Sequence, residues 1–277
     1  MRRRGRILLL LALLISVPLI GLFLWRELGY ESAQLSRCLR DLQDPSALVQ
    51  HRAQESLRRL GPGAVPALQR KLHARDVPAF TNVVQFLQRQ SFVKIPFVPA
   101  RQRRIQAAIG CVILGPDATP AIPDLIAFSR EDGYCLNLAQ SALSQLGPAG
   151  VRPLTLALTN KDPAVRMLVV GALVHIGPEV VHVTPALINS LADDAFGVRY
   201  EAARALGRLR APSPSVVCAL VQALGDPDPW VRSGAVISLE NFGPQILPAL
   251  ADLQNDPRPG VRTNAMKTLL AIKKLEP

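Results

Sequence analysis

The stretch DPAVRMLVVGALVHIGP (162–178) sets a pattern that three later stretches of the chain repeat. These are DAFGVRYEAARALGRL (194–209), DPWVRSGAVISLENFGP (228–244) and DPRPGVRTNAMKTLLAI (256–272). All four begin with Asp, continue through a Val-Arg pair and end in a run rich in Ala or Leu. The Val-Arg pairs recur at intervals of 33, 33 and 30 residues. This period indicates an array of small structural repeats.

Each repeat is predicted to begin with a first helix that has clear start and stop signals. Asp162-Pro163 and Asp228-Pro229 place an N-cap acceptor before a proline at the first helical position. Gly-Pro pairs follow about four turns later, where we expect Gly in a left-handed C′ conformation and Pro ending the helix. These pairs stand at 61–62, 115–116, 147–148, 177–178 and 243–244, and Gly207 takes the same place without a proline.

A second helix is predicted after each Gly-Pro pair. Its expected starts are Thr119-Pro120, Thr184-Pro185 and Ser213-Pro214, each a capping residue followed by proline. The apolar residues that follow are spaced as on one face of a helix. Because a single hairpin of this size cannot bury its apolar face, neighbouring hairpins must stack. The predicted fold is therefore all-α, an α-α superhelix or solenoid of helical hairpins over residues 35–277.

The pattern resembles HEAT repeats, including the short bacterial HEAT-like variety also found in phycobilin lyase subunits. In HEAT units an Asp precedes the first helix and an Arg lies within it. Here Asp193 precedes Arg199 by six residues, and two later pairs have the same offset. The resemblance implies an Asp/Arg ladder that bonds adjacent repeats, and we expect it to be structural. Its members are Asp162, Arg166, Asp193, Arg199, Asp226, Arg232, Asp256 and Arg262.

The amino-terminal segment predicts a membrane anchor. Residues 7–25 form nineteen uncharged residues, enough for a helix of about 28 Å. A cleaved signal peptide is the alternative, but its apolar region is normally shorter. Four arginines precede the span, so the positive-inside rule predicts that residues 1–6 are cytoplasmic. Residues 26–34 are then a linker, and the solenoid is predicted to lie on the extracytoplasmic side of a single-pass membrane protein.

An irregular insertion near residues 77–100 interrupts the repeats. The interval from Gly61 to Gly115 is 54 residues instead of about 32. The extra residues include Phe92 and Phe97, and Leu42–Leu60 before them offers Asp44, Val49 and Arg52 in looser register. Insertions in solenoids often belong to the binding face. The sequence equally allows a degenerate repeat with an ordinary long connection.

The predicted interaction surface consists of the second helices along a concave face. Its candidate residues, chosen as polar positions on these helices or as aromatics of the insertion, are Arg70, Lys71, Phe92, Phe97, Thr155, Thr159, Asn189 and Gln222, with Gln69 and Gln254 as further polar positions.

Catalytic and metal-binding motifs are not found in the sequence. It contains no G-x-S-x-G, H-E-x-x-H, Walker-type or dinucleotide-binding motif, and no C-x-x-C pair. We predict no catalytic residue, metal or cofactor. The four cysteines are expected to be buried hydrophobes, and a disulfide between Cys111 and Cys135 is an open alternative. Trp230 is expected to be buried between repeats, with a stacking platform as the alternative.

These features favour a membrane-anchored, non-catalytic scaffold that binds a protein partner. Nucleic acid is an unfavoured partner, because the formal charge of +11 shows no Lys/Arg run. No small-molecule ligand is indicated. The alternatives are a HEAT-like enzyme or enzyme subunit, resembling the phycobilin lyases or the HEAT-like DNA glycosylases, and a nucleic-acid-binding solenoid. A membrane anchor argues against both enzyme classes.

Overall fold

The structure is a computed structural model that describes residues 33–76, 98–176 and 180–274, together with residues 78 and 82. The predicted membrane span (7–25), Phe92, Phe97 and most of the insertion lie outside the described residues. The described part is all-α, as predicted, and its helices form two compact units, residues 1–114 and 115–277.

Unit 1 contains four of the described helices: α1 (Ala33–Asp41), α2 (Ala47–Leu60), α3 (Val65–Leu72) and α4 (Ala100–Leu114). Its core is aliphatic, with Leu35, Leu39, Leu57 and Leu68 each at most 1% exposed. Gly110 allows α4 to approach closely, because a Cβ there would lie 2.9 Å from a methyl group of Leu68.

Unit 2 stacks helical hairpins whose first and second helices form two layers. The first helices are α6 (Gly133–Ser144), α8 (Pro163–Leu173), α10 (Phe196–Arg208), α12 (Pro229–Glu240) and α14 (Pro259–Lys274). The second helices are α5 (Ile122–Phe128), α7 (Pro148–Ala157), α9 (Val180–Ser190), α11 (Pro214–Ala223) and α13 (Leu247–Ala251). Each first helix after α6 packs against the one before it, and α9 packs against both α7 and α11.

The Val of each Val-Arg pair supplies the core between the layers. Val165, Val198, Val231 and Val261 are at most 1% exposed. The predicted caps of the first helices are confirmed: Asp162 accepts a hydrogen bond from the Ala164 amide, and Asp228 from the Trp230 amide.

The Gly-Pro pairs have positive φ, but not the expected left-handed helical conformation. Gly61 has φ 54° and ψ −144°, and Gly147 has φ 57° and ψ −151°. A following proline disfavours helical ψ values, so the glycine adopts the mirror image of extended backbone. The carbon-free side of glycine is therefore needed here, although for a different conformation than predicted.

Gly207 does not take the place of these glycines. It lies inside α10, and Arg210 has the positive φ of 48° instead. Arg210 stands twelve residues after Val198, as Gly243 stands twelve after Val231. Gly207 has another role: a Cβ there would lie 2.4 Å from the Ser238 Oγ of α12. It permits the close contact between these two first helices.

The starts of the second helices are only partly as predicted. Ser213 caps α11 with Pro214 at its first position, as expected. Thr119 and Pro120 instead lie in a 3₁₀ turn, Gly115–Ala121, that precedes α5, and Pro185 lies inside α9. The reason in the first case is that the chain after a Gly-Pro pair forms a tight turn before the regular helix begins.

One helical stretch of the described ranges, Ala100–Phe128, is long and apolar enough to cross a membrane. Its most apolar window is 61% buried, and core helices meet the same test. Core packing therefore accounts for its apolar character.

Candidate functional site

Each ladder arginine binds the main chain of its own repeat through a recurrent loop. In the loop before α10, the Asp193 carboxylate accepts a hydrogen bond from the Ala195 amide at 2.9 Å. The Arg199 Nη1 donates to the carbonyls of Asp193 and Asp194 at 2.9 and 3.1 Å. Arg166, Arg232 and Arg262 likewise donate to the carbonyl oxygens five and six residues earlier. The six-residue offset therefore fixes the loop within one repeat.

Two arginines also form inter-repeat ion pairs through their other edge. Arg166 donates from Nε and Nη2 to the two carboxylate oxygens of Asp193, both at 2.7 Å. Arg199 binds Asp226 in the same way at 2.8 and 3.0 Å. Arg166 also contacts Asp194. These bidentate contacts lie 27 residues apart in sequence, and they join consecutive repeats.

The inter-repeat ion pairs are largely shielded from solvent. The side chains of Arg199 and Asp226 are 13% and 9% exposed, and those of Arg166 and Asp193 are 10% and 12% exposed. Burial opposes ionisation of Asp193, but hydrogen bonds from Arg166 and the Ala195 amide hold its pKa below its ordinary value. The hydrogen bond to Asp226 raises the pKa of Arg199. Both pairs are thus charged and structural at neutral pH.

The structure does not join the ladder residues at either end as the sequence suggested. Asp162 caps α8 and pairs with Arg130 at 2.5 Å, while Asn160 takes the position six residues before Arg166. At the other end, Asp256 is bound by Arg258, two residues later, through two contacts of 3.0 Å. No bond joins Arg232 to Asp256 among the described residues. A residue near the aspartate in sequence has satisfied it locally.

Unit 1 contains two variants of the same loop that the sequence patterns missed. Asp44 accepts from the Ser46 amide at 2.8 Å, and Gln50 donates to the Asp44 carbonyl at 2.7 Å. Gln50, not Arg52, therefore stands in the arginine position. Asp76 accepts from the Ala100 amide at 2.8 Å, across 24 residues of sequence. The six-residue offset from Asp44 to Gln50 was a usable signal, whereas the second loop is hidden by the insertion.

The second-helix layer of unit 2 carries an apolar groove of about 640 Å³ between α5 and α7. We call it the α5/α7 groove. Its lining is mostly aliphatic and proline side chains, and the polar residues are Thr119, Arg130 and Asn160. Thr119 donates to the Pro116 carbonyl, and Arg130 pairs with Asp162. The lining residues with most bearing on binding are Ile122, Pro123, Ile126, Pro153 and Leu156.

The α5/α7 groove is open to solvent and lacks reactive groups. Leu156 is 65% exposed, which is unusual for a large aliphatic side chain beside a core. A second groove of about 450 Å³, lined by Pro214, Val217, Cys218 and Ile246 among others, lies between α11 and α13. Apolar grooves thus occur at two places along the same layer.

The predicted binding residues do not line the α5/α7 groove. Thr155 and Thr159 on α7 donate their hydroxyl groups to the carbonyls of Val151 and Leu156. The remaining described candidates are accessible: Asn189 and Gln222 are exposed, as is Arg70 in unit 1, and Lys71 is half-buried. Gln222 additionally lies 3.9 Å from the Cys218 sulfur.

Other expectations meet a mixed outcome. Trp230 is 64% exposed at the start of α12, so the expected burial between repeats is wrong. The adjacent Val231 fills the core position, and Trp230 therefore points away from it. Cys38, Cys111 and Cys135 are buried free thiols, while Cys218 is an exposed one, so the alternative disulfide is not formed. Within the described ranges, no cluster of three His, Cys, Asp or Glu side chains is arranged to hold a metal.

The positive charge of the chain is concentrated rather than spread. Residues 1–114 hold 18 Lys and Arg against 6 Asp and Glu, whereas residues 115–277 hold 14 against 15. The α5/α7 groove therefore lies in a nearly neutral unit.

The two-layered hairpin stack defines the class of protein, and sequence comparison names its repeats. Residues 151–217 and 184–270 match the family model described as HEAT repeats. This match supports the HEAT-like solenoid expected from the sequence. No curated protein sequence matches the chain.

Solved structures with the same general architecture are distant. The complex of CpcE and CpcF of phycocyanin lyase from Nostoc sp. PCC7120 is 24% identical, over 54% of this chain and 98% of that one, with a TM-score of 0.42. Human deoxyhypusine hydroxylase is 20% identical, over 94% and 91%, with a TM-score of 0.36. Yeast importin-beta (Kap95p) is 16% identical, over 86% and 35%, with a TM-score of 0.41.

Proposed function

We propose that this chain is a non-catalytic scaffold that binds another polypeptide through the α5/α7 groove. The observation that carries the proposal is the groove itself, an open trough of about 640 Å³ with an aliphatic and proline lining. Exposed apolar surface of this kind marks interaction sites more often than it occurs by chance on monomers. The HEAT repeats matched in unit 2 are a fold suited to protein binding through extended surfaces.

The lining indicates the chemistry of the partner. Ile126, Pro153 and Leu156 offer surface to aliphatic or aromatic side chains, and they provide no charge for a phosphate. The one cation of the groove, Arg130, is already paired with Asp162. A partner segment that inserts apolar side chains and leaves its polar groups at the rim fits this surface. The near-neutral charge of unit 2 favours the same class of partner over nucleic acid.

The absence of a role in catalysis is part of the proposal. The groove contains no nucleophile, acid or base among its lining residues, and small-molecule sites usually enclose most of the ligand surface. An open apolar trough is better suited to a polypeptide than to a buried substrate.

We further propose that residues 7–25 anchor the protein in a membrane as a single span. The support is their length, their lack of charge and the arginines that precede them. Alkaline extraction of membranes tests this: the full chain is expected in the membrane pellet, and a variant without residues 7–25 in the supernatant. Release of the full chain by alkali contradicts the anchor. Protease access to the solenoid in sealed cells then reports its side of the membrane.

Site-specific photocrosslinking tests the groove. A photoreactive phenylalanine analogue replaces Leu156, and the matched control replaces Ile237, which is 47% exposed on first helix α12. We expect a defined, nuclease-resistant protein adduct from position 156 that is absent from position 237. Introducing Pro153→Asp in the same chain should abolish the adduct while far-UV circular dichroism is unchanged. Identical adducts at both positions, or an adduct that Pro153→Asp leaves intact, contradict the proposal.

A further inference from the structure

Arg232 has the same surroundings as the arginines of the inter-repeat ion pairs, except for its carboxylate. Its Nη1 donates to the carbonyls of Asp226 and Pro227, both at 2.8 Å, as Arg199 does in the preceding repeat. In Arg166 and Arg199, Nε and Nη2 bind both oxygens of the next repeat's aspartate. The Nε and Nη2 of Arg232 have no partner in the part of the chain that the structure describes.

The sequence explains why this edge is left open. Arg258 follows Asp256 by two residues and binds both of its carboxylate oxygens, and the interval from Val231 to Val261 is three residues shorter than the two before it. At the corresponding position after Asp193 stands Ala195, which offers no cation. Asp256 is therefore held within its own loop and is not shared with the previous repeat.

A groove of about 410 Å³ lies where the missing carboxylate would be expected. It is lined by Arg232 and Asp226 on one side and by Gly260, Thr263 and Asn264 on the other. The hydroxyl of Thr263 donates to the Pro259 carbonyl, and the Asn264 amide donates to the Leu224 carbonyl. Gly225 and Gly260 leave the entrance free of side chains. Arg232 is half-buried, so it is positioned by its loop rather than dispersed in solvent.

The charges around the groove favour one carboxylate. Asp226 is bound to Arg199, and Asp256 to Arg258, so both nearby acids already have a cation. Asp228 is engaged as the cap of α12, and Arg262 binds the carbonyls of Asp256 and Pro257. Arg232 is thus the cation without an anion. A single planar carboxylate matches its two free N–H donors, whereas a phosphate dianion would meet repulsion from Asp226 at the same groove.

We propose that Arg232 and this groove form a site for a carboxylate of a polypeptide, which replaces the aspartate that the next repeat fails to supply. The carboxylate belongs to an acidic side chain or to a chain terminus. The site is separate from the α5/α7 groove, and the inference does not rest on the function proposed for that groove.

Titration of the full-length protein in detergent, followed by NMR of the arginine Nε–Hε groups, tests the site. The probes are three capped tripeptides: acetyl-Ala-Asp-Ala-amide, acetyl-Ala-Ala-Ala with a free carboxylate, and acetyl-Ala-Asn-Ala-amide. We expect a saturable shift of the Arg232 signal with one or both carboxylate probes, with Kd on the order of millimolar, and none with the Asn probe. The stronger of the two carboxylate probes identifies the source.

Variants separate bidentate binding from charge alone. Arg232→Lys keeps the charge but loses the two-pronged donor, and it should weaken binding of the carboxylate probe about tenfold, as measured by chemical-shift changes at the backbone amides of Gly225 and Gly260. Arg152→Gln, which changes an exposed arginine on α7, should leave it unchanged. The proposal is overturned if wild type shows no saturable Arg232 shift, if the Asn probe acts equally, or if Arg232→Lys binds as wild type does. The wild-type titration decides even if a variant fails to fold.

Discussion

The contact between α10 and α12 and the contact between α12 and α14 join equivalent first helices, yet only the first has an inter-repeat ion pair. Arg199 binds Asp226 across the first contact, whereas Arg232 does not bind Asp256 across the second. Both arginines bind their own loops identically. The comparison shows that the loop and the ion pair are separable parts of the repeat. One arginine can keep the loop in place while its other edge is free.

Breaking the ion pair of the first contact should have the largest effect. Arg199→Gln leaves the 9%-exposed Asp226 without its cation, and breaking a buried pair in this way costs about 3 kcal/mol of the free energy of unfolding. Urea unfolding followed by far-UV circular dichroism measures it. Arg152→Gln, on an exposed arginine, is the matched control and should change nothing. Equal stability of the two variants would show that the pair contributes little.

Crowding the other end of the same contact should be the next most costly change. A Cβ at Gly207 lies 2.6 Å from the Ser238 Cα, so Gly207→Ala must push α10 and α12 apart at a cost of about 2 kcal/mol. Gly260→Ala in α14 is the control, because nothing lies within 4 Å of its added Cβ. It should be neutral or slightly stabilising. The same urea experiment compares them, and a neutral Gly207→Ala would contradict the close packing.

Removing the unpaired arginine should cost less than removing the paired one. Arg232→Gln loses two hydrogen bonds to carbonyl oxygens but orphans no carboxylate, so we expect a loss of about 1 kcal/mol. The difference between Arg199→Gln and Arg232→Gln, measured under the same conditions, reports the contribution of the ion pair. If both variants lose the same stability, the two contacts do not differ as the structure indicates.

Acid should weaken the paired contacts by the smallest measurable amount. The folded-state pKa of Asp193 lies below its ordinary value, so the stability from its pair with Arg166 is fully present above about pH 4. It is lost as pH falls through the lowered pKa. The stability difference between wild type and Asp193→Asn should therefore shrink as urea unfolding is repeated from pH 5 to pH 2.5. A difference that stays constant or grows would contradict the lowered pKa.

The sequence predicts the helices of unit 2 well because its signals are local. Caps such as Asp162 and the buried valines of the Val-Arg pairs need only neighbouring residues to be recognised. Gly207 misled the register, because its glycine serves a contact with Ser238 in another helix rather than a helix end. Trp230 misled the burial pattern, because hydrophobicity alone does not tell which side of Val231 faces the core.

The candidate site was harder to predict, for a physical reason. Polar residues were sought on the second helices, but Thr155 and Thr159 spend their hydroxyl groups on their own helix. The α5/α7 groove is formed by Ile126, Pro153 and Leu156, which read as core residues in the sequence. Exposure of an apolar residue depends on how far apart neighbouring helices stand. That spacing is a property of the stack and is not written in any one repeat.

The loop at Asp76 has a consequence for how this chain can be modified. Asp76 and the Ala100 amide meet through one hydrogen bond, although a typical loop of this kind closes over two residues instead of 24. The chain therefore leaves and re-enters the repeat at one point, and the entropic penalty of closing a loop rises only slowly with its length. An entire foreign domain whose termini lie close together can be grafted between these two positions, with the repeat beyond it kept in phase.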